Sequence, residues 1–192
     1  MIIKLDGPKT KQEFADLVAS FGYKVGVEIG VRAAELATLI LQTPHVERYY
    51  LVDPWSHQES GYHPAINIPQ SAQDANYKTA MERIRPYEER TVVLRMCSHE
   101  AASFVDKVDW IYIDGNHAYA DLEKPGVRQD LHLWVPKVRE GGMAAGHDFM
   151  DEQFPERFGV RTAVLEYFPE DQVLHTVKYD NPINPPIWWT LV

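Results

Sequence analysis

Two groups of residues in this 192-residue chain have the types and spacing to do chemistry. The first begins with Glu28-Ile29-Gly30, which closes the apolar run Val25-Gly26-Val27. Its partner is Asp53, which ends a second apolar run, Tyr49-Tyr50-Leu51-Val52, 25 residues after Glu28. A strand, a tight turn, a helix and a second strand ending in an acid make half of a nucleoside-binding site. The turn lets backbone approach a ligand, and the acid accepts hydrogen bonds from a ribose diol. The dinucleotide form of the turn reads GxGxxG and leaves room for a pyrophosphate. Here Gly30 is followed by Val31-Arg32-Ala33-Ala34 and preceded by an acid. A carboxylate beside the turn disfavours phosphate and favours the ammonium group of an amino acid, which points to S-adenosylmethionine over NAD. The second group is Asp114 with His117 and His147 with Asp148. Histidine is the side chain best matched to taking a proton near neutral pH.

The elements that must position these residues follow from the hydrophobic pattern. Phe14, Leu17, Val18 and Phe21 have helical spacing and predict a helix over 11–21. Strands are expected at 25–29, 49–52, 91–96, 108–113, 143–146, 173–177 and 187–192, with helices at 33–41, 72–89, 99–105, 127–138 and 160–168. Pro86 and Pro136 fall inside the helices expected at 72–89 and 127–138 and must bend or end them. Residues 54–70 hold three prolines and a glycine and read as a long loop, where Trp55, Tyr62 and His63 could close over a ligand. The whole describes an α/β fold: a Rossmann-like, seven-stranded, mostly parallel sheet with an antiparallel last strand and helices on both faces, in one domain over 1–192. Ligands bind beyond the carboxyl ends of such strands. Glu28, Gly30, Asp53, Cys97, Ser98, Asp114, His147 and Asp148 should therefore share one face, with the turn at 180–186.

Composition narrows the partners. Hydrophobic residues at 45% and charged ones at 24% suit a globular chain, and a net charge of −9 argues against a nucleic-acid partner. No segment has the ~18 consecutive apolar residues a membrane span needs, and the first residues lack a signal-peptide pattern. The lone cysteine, Cys97, cannot form an internal disulfide and fits a reducing cytoplasm. A small-molecule substrate is the expected partner, and a homo-oligomer stays open. His45, His57, His99, His132 and His175 show no metal-ligand spacing.

The strings Ile111-Tyr112-Ile113-Asp114-Gly115-Asn116-His117-Ala118-Tyr119, Trp134-Val135-Pro136-Lys137, Gly141-Gly142 and Ala145-Gly146-His147-Asp148-Phe149, with the two apolar runs above, resemble the class I S-adenosylmethionine-dependent methyltransferases. The closest likeness is to the branch that includes bacterial sugar and small-molecule O-methyltransferases. Two departures stand out: Arg32 and Ala34 occupy places where that family often has glycine or another small residue, and 121–125 looks like extra sequence before the helix carrying Trp134.

The resemblance implies a role for each position. Glu28 and Gly30 would flank the methionine portion, Asp53 would bind the ribose hydroxyls, Ser98 would lie at the adenine edge, and Asp114 would sit near the reacting centre. His117 and His147 are the two candidates for the base that deprotonates an acceptor hydroxyl, each with a packed, hydrogen-bonded structural role as its alternative. Asp114 and Asp148 match the arrangement of the magnesium-dependent members of the fold. Phe149 then stands where a third, amide or acidic, ligand is expected. Rival readings are a nicotinamide-dependent oxidoreductase, disfavoured by the missing GxGxxG, and a cofactor-binding module without turnover.

Overall fold

The computed structural model describes residues 7–58, 67–151, 158–175 and 186–192. Its sheet has seven strands: β1 (Val25–Ile29), β2 (Arg48–Val52), β3 (Thr91–Leu94), β4 (Val108–Ile113), β5 (Val138–Gly146), β6 (Leu174–His175) and β7 (Trp188–Leu191). They lie in the order β3-β2-β1-β4-β5-β7-β6. β1 pairs parallel with β2 and β4, as do β2 with β3 and β4 with β5, while β7 runs antiparallel to both its neighbours. This is the expected mostly parallel sheet with one reversed terminal strand.

Side chains alternate across the sheet, and both faces are covered. Val27, Ile29, Ile111, Ile113 and Ala144 face a core shared with α5 (Val127–Trp134) and α6 (Val160–Tyr167). Tyr49, Leu51, Trp110, Tyr112, Met143 and Ala145 face the opposite core, shared with α1 (Lys11–Ser20), α2 (Glu35–Leu41) and α3 (Gln70–Ile84). Trp188 and Trp189 alternate in β7, and each is buried, one in either core. Each fully buried side chain of this size contributes roughly 1.5–3 kcal/mol relative to exposure.

The expected elements are present, with shifted ends that have local causes. Helix α3 stops at Ile84, and Pro86 carries the chain on as a 3₁₀ segment, Arg85–Arg90. Pro136 does the same after α5, giving Val135–Lys137. The short helix after Cys97, α4 (Ser98–Ala101), also tightens into a 3₁₀ turn, Ala102–Phe104. Strand β3 is two residues shorter than expected, and β5 begins earlier, running through Gly141 at φ 73°. No helix among the described residues is long and apolar enough to cross a membrane.

Candidate active site

Parallel register decides where the strands stop. Ile29 lies beside Val52 and Ile113, Val52 beside Leu94, and Ile113 beside Gly146. The next residues, Gly30, Asp53, Asp114 and His147, therefore stand in one row at the carboxyl edge. Backbone bonds lock them there: Gly30 N donates to Val52 O at 2.9 Å, Asp114 N to Ile29 O at 2.8 Å and His147 N to Ile113 O at 3.0 Å. A cavity of about 510 Å³ opens over this row, and Gly30, Asp53, Ser98, Asp114, His117, His147 and Asp148 all line it. That volume lies within the usual range for small-molecule sites, roughly 300–1,000 Å³.

At the β1–β2 end of the cavity, Gly30 has φ 88°, and a Cβ there would meet the Asp114 carbonyl oxygen at 2.1 Å. Only glycine fits. Asp53 turns out to build the turn as well as face the cavity. Its Oδ2 accepts the N–H groups of Val31 and Arg32, each at 2.9 Å, and its Oδ1 accepts Trp55 N at 2.7 Å. Burial pushes the Asp53 pKa up, against the pull of those N–H groups, and the net position is above the ordinary value. An ionised carboxylate has about four acceptor sites, so Oδ2 is filled and Oδ1 keeps one lone pair for a ligand hydroxyl.

The two departures in this turn carry strain. Arg32 and Ala34 sit at φ 53° and 62°, in the left-handed region that costs a non-glycine residue roughly 1–2 kcal/mol. Ala34 is fully buried, whereas Arg32 is exposed at the cavity rim. Arg32→Gly should therefore raise the free energy of unfolding by roughly 0.5–1 kcal/mol, after the extra entropy of an unfolded glycine. Urea titration reads this directly. A loss of stability in Arg32→Gly would mean that the arginine side chain outweighs its backbone strain.

Glu28 is in the row's neighbourhood but not in the cavity lining. Its side chain faces the α1–α3 core, is 1% exposed, and its Oε2 accepts the Tyr49 hydroxyl at 3.0 Å. Burial pushes its pKa up to about 8, opposed by Lys11 and Tyr49. Trp55 is likewise no lid. It is fully buried, donates from its indole to Arg32 O at 2.7 Å and packs edge-on against Tyr77. Tyr62 and His63 lie outside the described residues, as does most of 180–186.

At the other half, four side chains converge. His117 Nε2 lies 3.0 Å from Asp148 Oδ2 and 3.5 Å from Asp114 Oδ1. His147 Nδ1 lies 3.1 Å from Asp148 Oδ2 and 3.8 Å from Asp114 Oδ1. The loop after β4 brings His117 back to Asp114 through Asn116, whose Oδ1 accepts Ala118 N and whose Nδ2 donates to Pro125 O. Lys11, at the start of α1, approaches Asp114 Oδ2 at 3.5 Å.

Burial alone would lower the His117 pKa, but the Asp114 and Asp148 carboxylates beside it overcome that and push it up to about 10. Burial also works against an ionised Asp148, and the two imidazoles overcome it and hold that carboxyl below the usual range. The two carboxylates thus favour the charged form of His117 over the neutral one. His147 differs: Nδ1 faces Asp148, and its Nε2 is buried with no hydrogen-bond partner among the described residues.

Ser98 lines the cavity at the mouth of α4 and donates its hydroxyl to Asp130, a residue the sequence reading did not single out. Asp130 is 2% exposed, and burial pushes its pKa up to about 7, opposed by Ser98 and His117. Its signal was present: Val127, Asp130, Leu131 and Trp134 form the buried stripe of α5, with an acid in an apolar place. The 121–125 stretch brings Pro125 into the cavity lining. Tyr119 points away, bonding Glu166 at 2.5 Å with Arg128 over its ring.

Comparison with known proteins agrees with this geometry. The sequence profile of a family described as a methyltransferase domain matches residues 24–149. No curated protein matches the chain by sequence. Among solved structures, the chain is similar to the O-methyltransferase TomG from Streptomyces achromogenes, involved in tomaymycin synthesis and in complex with SAM. The identity is 8% and the TM-score 0.66, over 98% of this chain and 82% of that one. It is similar to an O-methyltransferase from Bacillus cereus in complex with SAH, at 12% identity and TM-score 0.64, over 100% and 84% of the two chains. An rRNA methylase from Streptococcus thermophilus matches at 12% identity and TM-score 0.62, over 100% of this chain and 98% of that one. At such identities the solved structures share the fold, and acceptors differ among them.

Proposed function

The chain belongs to the methyltransferase-domain family, and on that premise we propose that it transfers a methyl group from S-adenosylmethionine to a hydroxyl of a small acceptor molecule. The observation that carries this reading is the single row of strand ends. It sets a nucleoside turn, Gly30 with Asp53, in one cavity with an acid–histidine centre, Asp114, His147 and Asp148. The acidic surface implied by a net charge of −9 favours a small acceptor over a nucleic acid. A single, half-buried Cys97 suits work in a reducing cytoplasm.

S-adenosylmethionine brings its own electrophile, a methyl group on a sulfonium, so the protein supplies alignment and proton removal. Gly30 gives the cofactor close access to backbone, the remaining lone pair of Asp53 Oδ1 takes a ribose hydroxyl, and Ser98 sits toward the base. Asp148 accepts from His147 Nδ1, which fixes the tautomer that leaves Nε2 as a lone pair. His147 Nε2 then takes the acceptor's proton as its oxygen attacks the methyl carbon and the methyl–sulfur bond breaks, its electron pair going to the sulfur of the departing S-adenosylhomocysteine; His147 leaves the step as an imidazolium beside Asp148. Asp114, Asp148 and the unpartnered Nε2 of His117 fit a divalent cation such as Mg²⁺, which when bound would polarise the acceptor oxygen.

Isothermal titration is expected to show S-adenosylmethionine and S-adenosylhomocysteine binding, and Asp53→Ala to weaken both by at least about tenfold, the loss of one charged hydrogen bond. Absence of binding by the wild-type chain to either ligand would sink the proposal. Binding of NAD(H) in their place would make it an oxidoreductase.

A further inference from the structure

We propose that Asp114, His117 and Asp148 form a three-ligand centre for a first-row transition-metal ion, with His117 Nε2 as the third protein ligand, and that this nitrogen makes the site prefer such ions over Mg²⁺. The inference rests on the cavity being a methyl-transfer site only in what the metal would be used for; the donor set stands by itself.

The donor atoms of these three residues all lie within 4.8 Å of one another. Ligand bonds of ~2.0–2.1 Å place neighbouring donors roughly 2.9–3.4 Å apart in octahedral or tetrahedral geometry. His117 Nε2 stands 3.0 Å from Asp148 Oδ2, within that range, and 3.5 Å from Asp114 Oδ1, just beyond it, so one edge of such a polyhedron is drawn and a second is close to it. Neither approach is a directed hydrogen bond. His117 is 7% exposed, and its Nε2 is buried without a hydrogen-bond partner among the described residues. Buried ring nitrogens of this kind are normally satisfied. An atom that lies between two carboxylates, yet is aligned to hydrogen-bond with neither, is placed as a ligand would be.

The ring has little freedom to do anything else. Phe158 packs against it with ring centroids 5.2 Å apart, and the His117 carbonyl is tied to Gly159 N at 3.2 Å. The usual companion of two acids in an oxygen-only site is absent, because Phe149 follows Asp148 and is buried against the ring of His175. One imidazole with two carboxylates is a mixed donor set. Imidazole nitrogen suits zinc, iron, cobalt, nickel and copper, whereas Mg²⁺ favours oxygen alone. Three protein ligands leave coordination positions for water or an acceptor oxygen on the cavity side.

The test uses the full chain, stripped with a chelator and titrated in parallel with Co²⁺, Zn²⁺, Mn²⁺ and Mg²⁺ by calorimetry. Co²⁺ is also followed by its visible absorption. Co²⁺ and Zn²⁺ are expected to bind at least about 100-fold more tightly than Mg²⁺. His117→Ala should lose at least about tenfold of its Co²⁺ affinity while changing that for Mg²⁺ much less. In case His117→Ala fails to fold, spin-echo spectra of the Cu²⁺-loaded wild type should show a coordinated imidazole nitrogen, retained in His147→Ala. Equal affinity for Mg²⁺ and Co²⁺, a missing nitrogen signal, or no metal binding at all would each overturn the proposal. In the last case His117 is an imidazolium that seals two carboxylates. Titration of S-adenosylhomocysteine on the same samples separates this outcome from failure of the methyl-transfer reading, which that ligand tests independently of any metal.

Discussion

Replacing His147 with alanine is expected to lower kcat by about 10²–10⁴-fold, the usual worth of a positioned general base. The dissociation constant for S-adenosylhomocysteine should change by less than about tenfold, because the loss falls on the transition state and not on cofactor binding. Of the two imidazoles lining the cavity, His147 has Nδ1 3.1 Å from Asp148 Oδ2 and an Nε2 without a partner among the described residues, whereas His117 Nε2 stands between both carboxylates. His117 is the poorer base: the acids beside it, working against burial, push its pKa up to about 10, and its Nε2 stands between both of them. Asp130 on α5, pushed up to about 7 by burial, is closer to the right range but is engaged by the Ser98 hydroxyl. Turnover is measured with an acceptor found in a panel of hydroxyl compounds. A His147→Ala enzyme within about threefold of wild type would place the base elsewhere, and an equal collapse of cofactor binding would make His147 structural.

Glu28→Gln is expected to change how stability depends on pH, by an amount on the order of 3 kcal/mol between pH 5 and pH 8.5. The folded-state pKa of Glu28 is pushed up to about 8 from 4.5, chiefly by burial. Below the lower value both folded and unfolded chains hold the proton, and the residue costs nothing. As pH rises through the window, the unfolded carboxyl ionises while the folded one does not, so stability falls until about pH 8 and then levels. Glutamine is neutral throughout and can still accept the Tyr49 hydroxyl, which reaches Glu28 Oε2 at 3.0 Å. The difference in unfolding free energy between variant and wild type should therefore grow with pH in favour of the variant. Urea unfolding of both proteins at the two pH values isolates this residue, since every other group cancels. A difference that stays constant would show that Glu28 is ionised in the folded state.

These two residues also show what could be read beforehand. The strand exits were legible because β1, β2 and β4 are short apolar runs that end at glycine or an acid, and parallel register leaves those exits nowhere to go but one edge. What was harder to see was direction. Glu28 precedes Gly30 in sequence, but strand alternation turns it toward the Tyr49 core, behind the cavity and not into it. Trp55 looked like part of a mobile cover because prolines follow it. In the folded chain its own N–H and indole are used to tie the β2 exit to the turn at Arg32. A third donor was sought next to Asp148, whereas the Asn116 turn brings the His117 ring back beside Asp114 from three residues further on. Contacts made through a folded loop leave no periodicity in sequence.

The ladder of backbone bonds at the strand ends has a consequence for how such a site can change. Neighbouring strands are ~4.8 Å apart, so the four exits from β2 through β1 and β4 to β5 lay out a floor about 14 Å long. Its graduations are set by the sheet alone, like marks on a ruler. Asp53 and His147 stand at the two ends, and no substitution in the covering segments can bring them closer or move them apart. The roof is free to vary in shape and polarity while the span between the Gly30 turn and His147, the proposed proton acceptor, stays the same length. A new acceptor can thus be acquired without recalibrating the chemistry beneath it.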